Sequence, residues 1–144
     1  QRPSRFIQVT GKGLEKLSSI FVDFAKENIE GVSDETLQKY KDAPFRAPMI
    51  IILVSEIKIH PKVPEIEQML STAAAAENIL LALNALNYAG MWRTGVFALN
   101  EKISKYLELQ ENQKVIGYLY VGTASGKQKK IPEMDTSEFV TQWI

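Results

Sequence analysis

The chain has 144 residues, with seventeen Lys and Arg balancing seventeen Asp and Glu and 45% hydrophobic residues, the make-up of one ordinary domain able to bury its own core. It has no cysteine and a single histidine, His60, which excludes disulfides, a thiolate nucleophile and Cys-ligated metal and argues against a His-rich metal site or a Ser-His-Asp hydrolase. The balanced charge argues against bulk nucleic-acid binding, and no run of 18 apolar residues suggests a membrane span, so the composition points to a cytoplasmic globular protein and leaves its function open.

Gln1-Arg2-Pro3-Ser4 leads almost at once into the strand-like Arg5-Phe6-Ile7-Gln8-Val9, with no initiating Met and no polar lead-in. The expectation is a true beginning further upstream. Gly11-Lys12-Gly13 turns this strand into a helix whose Leu14, Leu17, Ile20, Phe21 and Phe24 form one stripe. Ser33 is placed to cap a short helix with Asp34 and Glu35 in its first turn. That helix ends before Pro44, because the residue ahead of proline avoids helical angles. Pro48 to Val54 is a continuous β-branched run, the pattern of a strand covered on both faces, and Gln113 to Gly122 repeats it. Two such strands separated by helices predict a three-layer α/β or α+β domain.

Between them, Pro64 opens a helix carrying Ile66, Met69, Leu70, Ala73, Ala76, Ile79, Leu80, Leu83 and Leu86, with Gly90 as its expected stop. Ala73-Ala74-Ala75-Ala76 keeps this helix slim on every side. In a domain of this size such a helix is expected to be covered in part by a second subunit; the alternative is a helix sandwiched inside one chain. Asn100 is placed to cap a helix carrying Ile103, Tyr106 and Leu107. Lys127 to Pro132 reads as polar and extended, and Asp135 with Glu138 resembles a capping box ahead of Phe139, Val140 and Trp143.

Four stretches carry candidate chemistry. Gly122-Thr123-Ala124-Ser125-Gly126-Lys127 follows a strand, but it has three residues between its glycines and Gln128 after the lysine, so it fails as a phosphate loop. His60, beside Lys58 and Lys62, has no orienting partner in the sequence and reads as an exposed loop residue. Glu65, Glu67 and Glu77 read as solvated, since ten residues is not a whole number of helical turns. Gly90-Met91-Trp92-Arg93-Thr94-Gly95 places an aromatic, a guanidinium and a hydroxyl between two glycines at a helix end. Arg can grip a phosphate through two parallel hydrogen bonds and Thr adds a donor. The equal alternative is a structural turn with a half-buried Trp and an Arg paired with a carboxylate.

Ala43-Pro44-Phe45-Arg46-Ala47-Pro48 ahead of the Ile-rich strand, Lys62-Val63-Pro64 ahead of the Ala-rich helix, the Trp92-Arg93-Thr94-Gly95 stretch and the late strand Val115 to Thr123 together resemble the flavin-dependent nitroreductase family. Within it, the chain is most similar to the small bacterial NAD(P)H nitroreductases. Pro3-Ser4-Arg5-Phe6 resembles the lead into that family's first strand, with Ser4 where the family has tryptophan. The likeness runs essentially end to end, and the expectation from it is a single domain 1–144 that lacks its N-terminal segment.

The resemblance implies an α+β three-layer sandwich, with a mixed or antiparallel central sheet flanked by helices and a long central helix at a dimer interface. It implies a homodimer that binds FMN between its subunits and passes hydride from NAD(P)H through the flavin to a nitroaromatic, a quinone or a similar acceptor. The alternative is a non-catalytic dimeric module of the same fold that binds flavin or another small ligand. Trp92, Arg93 and Thr94 match the family's FMN contacts. Ala82, Leu83, Asn84, Ala85, Leu86 and Asn87 match the stretch associated with the nicotinamide nucleotide. No protein residue need act as nucleophile or base, because a flavin carries its own hydride chemistry. The family's remaining flavin contacts, an N-terminal Arg-Arg-Ser type segment and a Pro-rich loop, have no counterpart in these residues, so weak FMN binding is the expectation for this stretch alone.

Overall fold

In the computed structural model, which describes residues 1–125 and 130–143, the two apolar runs become the central pair of an antiparallel sheet. They are β2 (Met49–Glu56) and β4 (Gln113–Gly122). β1 (Ser4–Thr10) flanks β2 and β3 (Ala89–Arg93) flanks β4, giving the order β1-β2-β4-β3 with every pairing antiparallel. Of the mixed and antiparallel sheets expected, the antiparallel one is present.

Both faces of the central strands are buried, which accounts for their unbroken apolar composition. Ile50, Ile52, Val54, Val115, Tyr118 and Tyr120 face one way, and Leu53, Ile116, Leu119 and Val121 the other. The pairing slips by one residue between Leu53↔Gly117 and Val54↔Val115. This bulge re-phases β4, so that Val115 and both tyrosines share a face despite their odd spacing.

The first face is covered by α1 (Lys12–Asn28), α2 (Asp34–Asp42) and α4 (Glu101–Tyr106). Gly11 enters α1 at φ 51°, a left-handed angle that suits glycine, and α1 buries its predicted stripe of Leu14, Leu17, Phe21 and Phe24. Phe21 stacks on Phe97 at 3.9 Å between ring centres and meets Tyr118 edge-on at 5.4 Å. Ser33 caps α2 by accepting from the Thr36 amide at 3.2 Å. The chain then tightens into a 3₁₀ turn, Ala43–Arg46, with Pro44 buried. Asn100 caps α4 through the Lys102 amide.

Among the described residues the second face carries only α3 (Glu65–Ala85), completing the three layers. Pro64 lies at its N-cap rather than inside its first turn. Within one chain this helix is not sandwiched: Gln68, Thr72 and Ala76 are buried toward the sheet, whereas Ile66, Leu70 and Leu81 are 58%, 60% and 59% exposed.

The stop of α3 also differs from the expectation. Asn87 takes a left-handed angle, φ 61°. The Tyr88 amide donates to the Leu83 carbonyl and the Asn87 amide to that of Asn84, which is a Schellman cap built on asparagine. Gly90 therefore does not end the helix; it lies in β3. Near the C-terminus, Asp135 caps only a three-residue 3₁₀ turn, and Phe139, Val140 and Trp143 are exposed. The expectations for the Gly122–Lys127 loop and for Lys127 to Pro132 fall partly outside the described residues.

Candidate functional site

The stretch read as a turn, Gly90 to Gly95, is mostly strand. β3 pairs with β4 from Ala89↔Gly122 to Arg93↔Tyr118, and a 3₁₀ turn, Gly95–Phe97, follows. The pleat then separates the residues that the sequence sets side by side. Gly90 and Trp92 point toward α3. A methyl at Gly90 would lie 2.5 Å from Leu80 Cδ2, and one at Gly117 would lie 1.9 Å from the Trp92 indole nitrogen. The indole thus lies against the bare backbone of Gly117, packed in the core beneath α3.

Arg93 projects to the other face, its guanidinium carbon 5.8 Å from the centre of the Tyr120 ring, within reach of a cation–π contact. There it lines a cleft of about 330 Å³ with Tyr40, Arg46, Thr94, Phe97 and Tyr120. A neighbouring hollow of about 370 Å³ shares Arg46, Arg93 and Tyr120 and adds Pro48 and Met91. Among the described residues neither Arg46 nor Arg93 has a carboxylate at ion-pairing distance, so the carboxylate-paired arginine of the alternative reading is not what forms. Lys39, on the rim, pairs with Glu35 at 2.8 Å. Burial raises the Tyr120 hydroxyl above its ordinary range, and the charges of Arg46 and then Arg93 oppose that rise. Tyr118, beneath the cleft, donates its hydroxyl to the Phe97 carbonyl at 2.7 Å and is raised by burial.

The end of α3 lies elsewhere. Leu83 packs toward β3, its Cδ1 3.0 Å from where a Gly90 methyl would sit, and Ala82, Asn84, Ala85, Leu86 and Asn87 are exposed. None of residues 82–87 lines the Arg93 cleft; β3 stands between. The structure therefore brings Arg93 and Thr94 together, and it sets Trp92 and the helix end on the opposite side.

His60 sits in the β2–α3 loop, partly buried, its Nδ1 accepting from the Lys62 amide at 3.1 Å. Glu65 takes an ion pair with Lys114 at 2.6 Å, and this hydrogen bond raises the lysine above its usual range. Glu67 and Glu77 are exposed, as expected. Among the described residues no group of three metal-ligating side chains forms, and no helix is long and apolar enough to cross a membrane. Arg46, like Tyr40, Phe97 and Tyr120, lines the cleft without having been assigned to a site from the sequence. Its place there is set at long range: it precedes β2, which pairs with β4, which pairs with the strand that holds Arg93.

Among the described residues, an antiparallel sheet with three helices on one face, one long helix on the other and an aromatic-walled cationic cleft at its edge makes a three-layer α+β domain. The Nitroreductase family model matches residues 1–123, and the chain belongs to that family. It is 32% identical over 141 residues to "Putative NAD(P)H nitroreductase YdjA" of Escherichia coli K12, covering 97% of this chain and 76% of that protein. Among solved structures, the nitroreductase-like family protein of Bacillus cereus superposes with a TM-score of 0.78 at 17% identity, covering 96% of this chain and 72% of the other. The FMN-dependent nitroreductase NfnB of Mycobacterium smegmatis, in complex with NADPH, gives 0.67 at 16% identity, covering 96% and 78%. The two structures show the fold; family and relative together support an oxidoreductase of the flavin type.

Proposed function

We propose that the chain is an FMN-dependent NAD(P)H oxidoreductase acting on nitroaromatic, quinone or similar electron-poor acceptors. The observation that carries this reading is Arg93: a guanidinium with no carboxylate partner among the described residues, set over Tyr120 in a cleft walled by aromatic rings. The donor set fits a flavin nucleotide. Aromatic walls suit a planar ring, and a guanidinium with the adjacent Thr94 hydroxyl suits anionic and carbonyl oxygens. NfnB, named as FMN-dependent and seen with NADPH, supports the cofactor pair.

When bound, FMN supplies the hydride transfer between NAD(P)H and acceptor. Arg93 and Thr94 bind and orient it. Trp92 acts by position: wedged against Gly117, it holds the backbone of 92–94 in register, so that Arg93 is presented rigidly. Ala82 to Asn87, assigned to the nicotinamide nucleotide, lie across β3 from the cleft and join such a site through a second subunit. The exposed Ile66, Leu70 and Leu81 give α3 an apolar face for that homodimer, and a cytoplasmic location accords with the reading.

FMN titration followed by flavin fluorescence tests it. Saturable quenching with one flavin per chain is expected, weaker in Arg93→Ala. Absence of saturable binding at any FMN concentration tried would overturn the reading.

A further inference from the structure

Arg46 has no counterpart among the positions assigned by resemblance, yet it shares both hollows with Arg93. It ends the 3₁₀ turn Ala43–Arg46, and that turn is held in place. Pro44 is buried, Ser18 donates to the Lys41 carbonyl at 2.6 Å, and Tyr40 meets Phe97 edge-on at 4.8 Å. Its position is thus set by the core rather than by a loose loop. Both guanidiniums act on the same group, the Tyr120 hydroxyl. Among the described residues no acid lines either hollow; two like charges sharing such a cleft repel one another, and an anion between them relieves that repulsion.

Charge count and shape select the anion. A phosphomonoester carries close to two negative charges near neutral pH and three acceptor oxygens, and two forked guanidiniums match it. We propose that Arg46 is a ligand-binding residue that forms, with Arg93, a two-guanidinium subsite for the phosphomonoester of an aromatic nucleotide. This rests on the proposed function, and it gives the cleft a second cation from within the chain. Two nucleotides of that reaction bear such a group: FMN at its ribityl end and NADPH at its ribose 2′ position.

The test compares wild type, Arg46→Ala and Arg46→Lys with two probe pairs, FMN against riboflavin by fluorescence and adenosine 2′-monophosphate against adenosine by calorimetry. Circular dichroism checks that the fold is retained. In wild type, one phosphorylated probe is expected to bind about ten- to a hundredfold tighter than its partner. Arg46→Ala removes most of that preference and leaves the partner's affinity unchanged, and Arg46→Lys restores it in part because an ammonium lacks the fork. A preference confined to the flavin pair assigns the subsite to the cofactor, and one confined to the adenosine pair assigns it to NADPH. Preferences that survive Arg46→Ala, or no preference in either pair, overturn the subsite. Failure of both flavins to bind overturns the proposed function instead, and the adenosine pair still decides the subsite.

Discussion

Arg93 occupies the last paired position of β3, opposite Tyr118, with its guanidinium turned over Tyr120. It is exposed, so its removal leaves no cavity and the fold of Arg93→Ala should be intact. Loss of a charge-assisted hydrogen bond costs about 1.5–3 kcal/mol, which predicts FMN binding weaker by about ten- to a hundredfold; Arg93→Lys should recover only part. Flavin titration of the three proteins checks this, and unchanged affinity in the alanine variant would make Arg93 structural. Tyr118 gives a second prediction. Its hydroxyl is buried and bonded to the Phe97 carbonyl, and burial raises its ionisation above the ordinary tyrosine range. Because the folded state favours the neutral form, this contribution to stability is complete below the unfolded tyrosine value of about 10 and is lost as pH rises above it. An absorbance titration of the phenols should show Tyr118 ionising only together with alkaline unfolding, and Tyr118→Phe should remove that late step.

At the scale of elements, β3 depends on a fit between two residues far apart in sequence. The Trp92 indole occupies the space where any side chain at 117 would stand. Gly117→Ala should therefore destabilise the domain by about 1–3 kcal/mol, read as a lower urea midpoint. Adding Trp92→Leu should return part of the loss, since the two sites are in direct contact. Equal midpoints for wild type and Gly117→Ala would show that the indole shifts without cost. The same strand marks where sequence reading succeeds and fails. β2 and β4 were legible because strands buried on both faces are apolar throughout, and α1 and α2 because a stripe and a serine cap are local signals. β3 was not. Ala89-Gly90-Met91-Trp92-Arg93 has no alternation of its own and is a strand because β4 pairs with it and Leu80 lies over Gly90. Asn87 took the capping role expected of Gly90, since asparagine also tolerates the left-handed region. Of the site, Arg93 and Thr94 were legible as chemistry in one stretch. The separation of Trp92 from them, and the arrival of Arg46, follow from pleat and strand order.

For the whole molecule, α3 settles which substitutions test assembly and which test folding. Leu83 packs toward Gly90 and Trp92, so a charge there strikes the core. Leu70 and Leu81 lie on the open face. Leu81→Glu should yield a folded monomer in sedimentation, with helix content retained, because a charge left in a desolvated interface is costly. Wild type should sediment as a dimer at micromolar concentration, its interface burying about 2,000 Å² or more in total, and a folded wild-type monomer would remove the homodimer. The central claim, that family, fold and cationic cleft together make a flavin-type NAD(P)H oxidoreductase, is tested most directly by turnover. NADH or NADPH oxidation is followed with FMN in excess and a quinone acceptor. A rate proportional to protein concentration and, at limiting FMN, lower in Arg93→Ala is expected; a rate no greater than that of free FMN under the same conditions would contradict the claim.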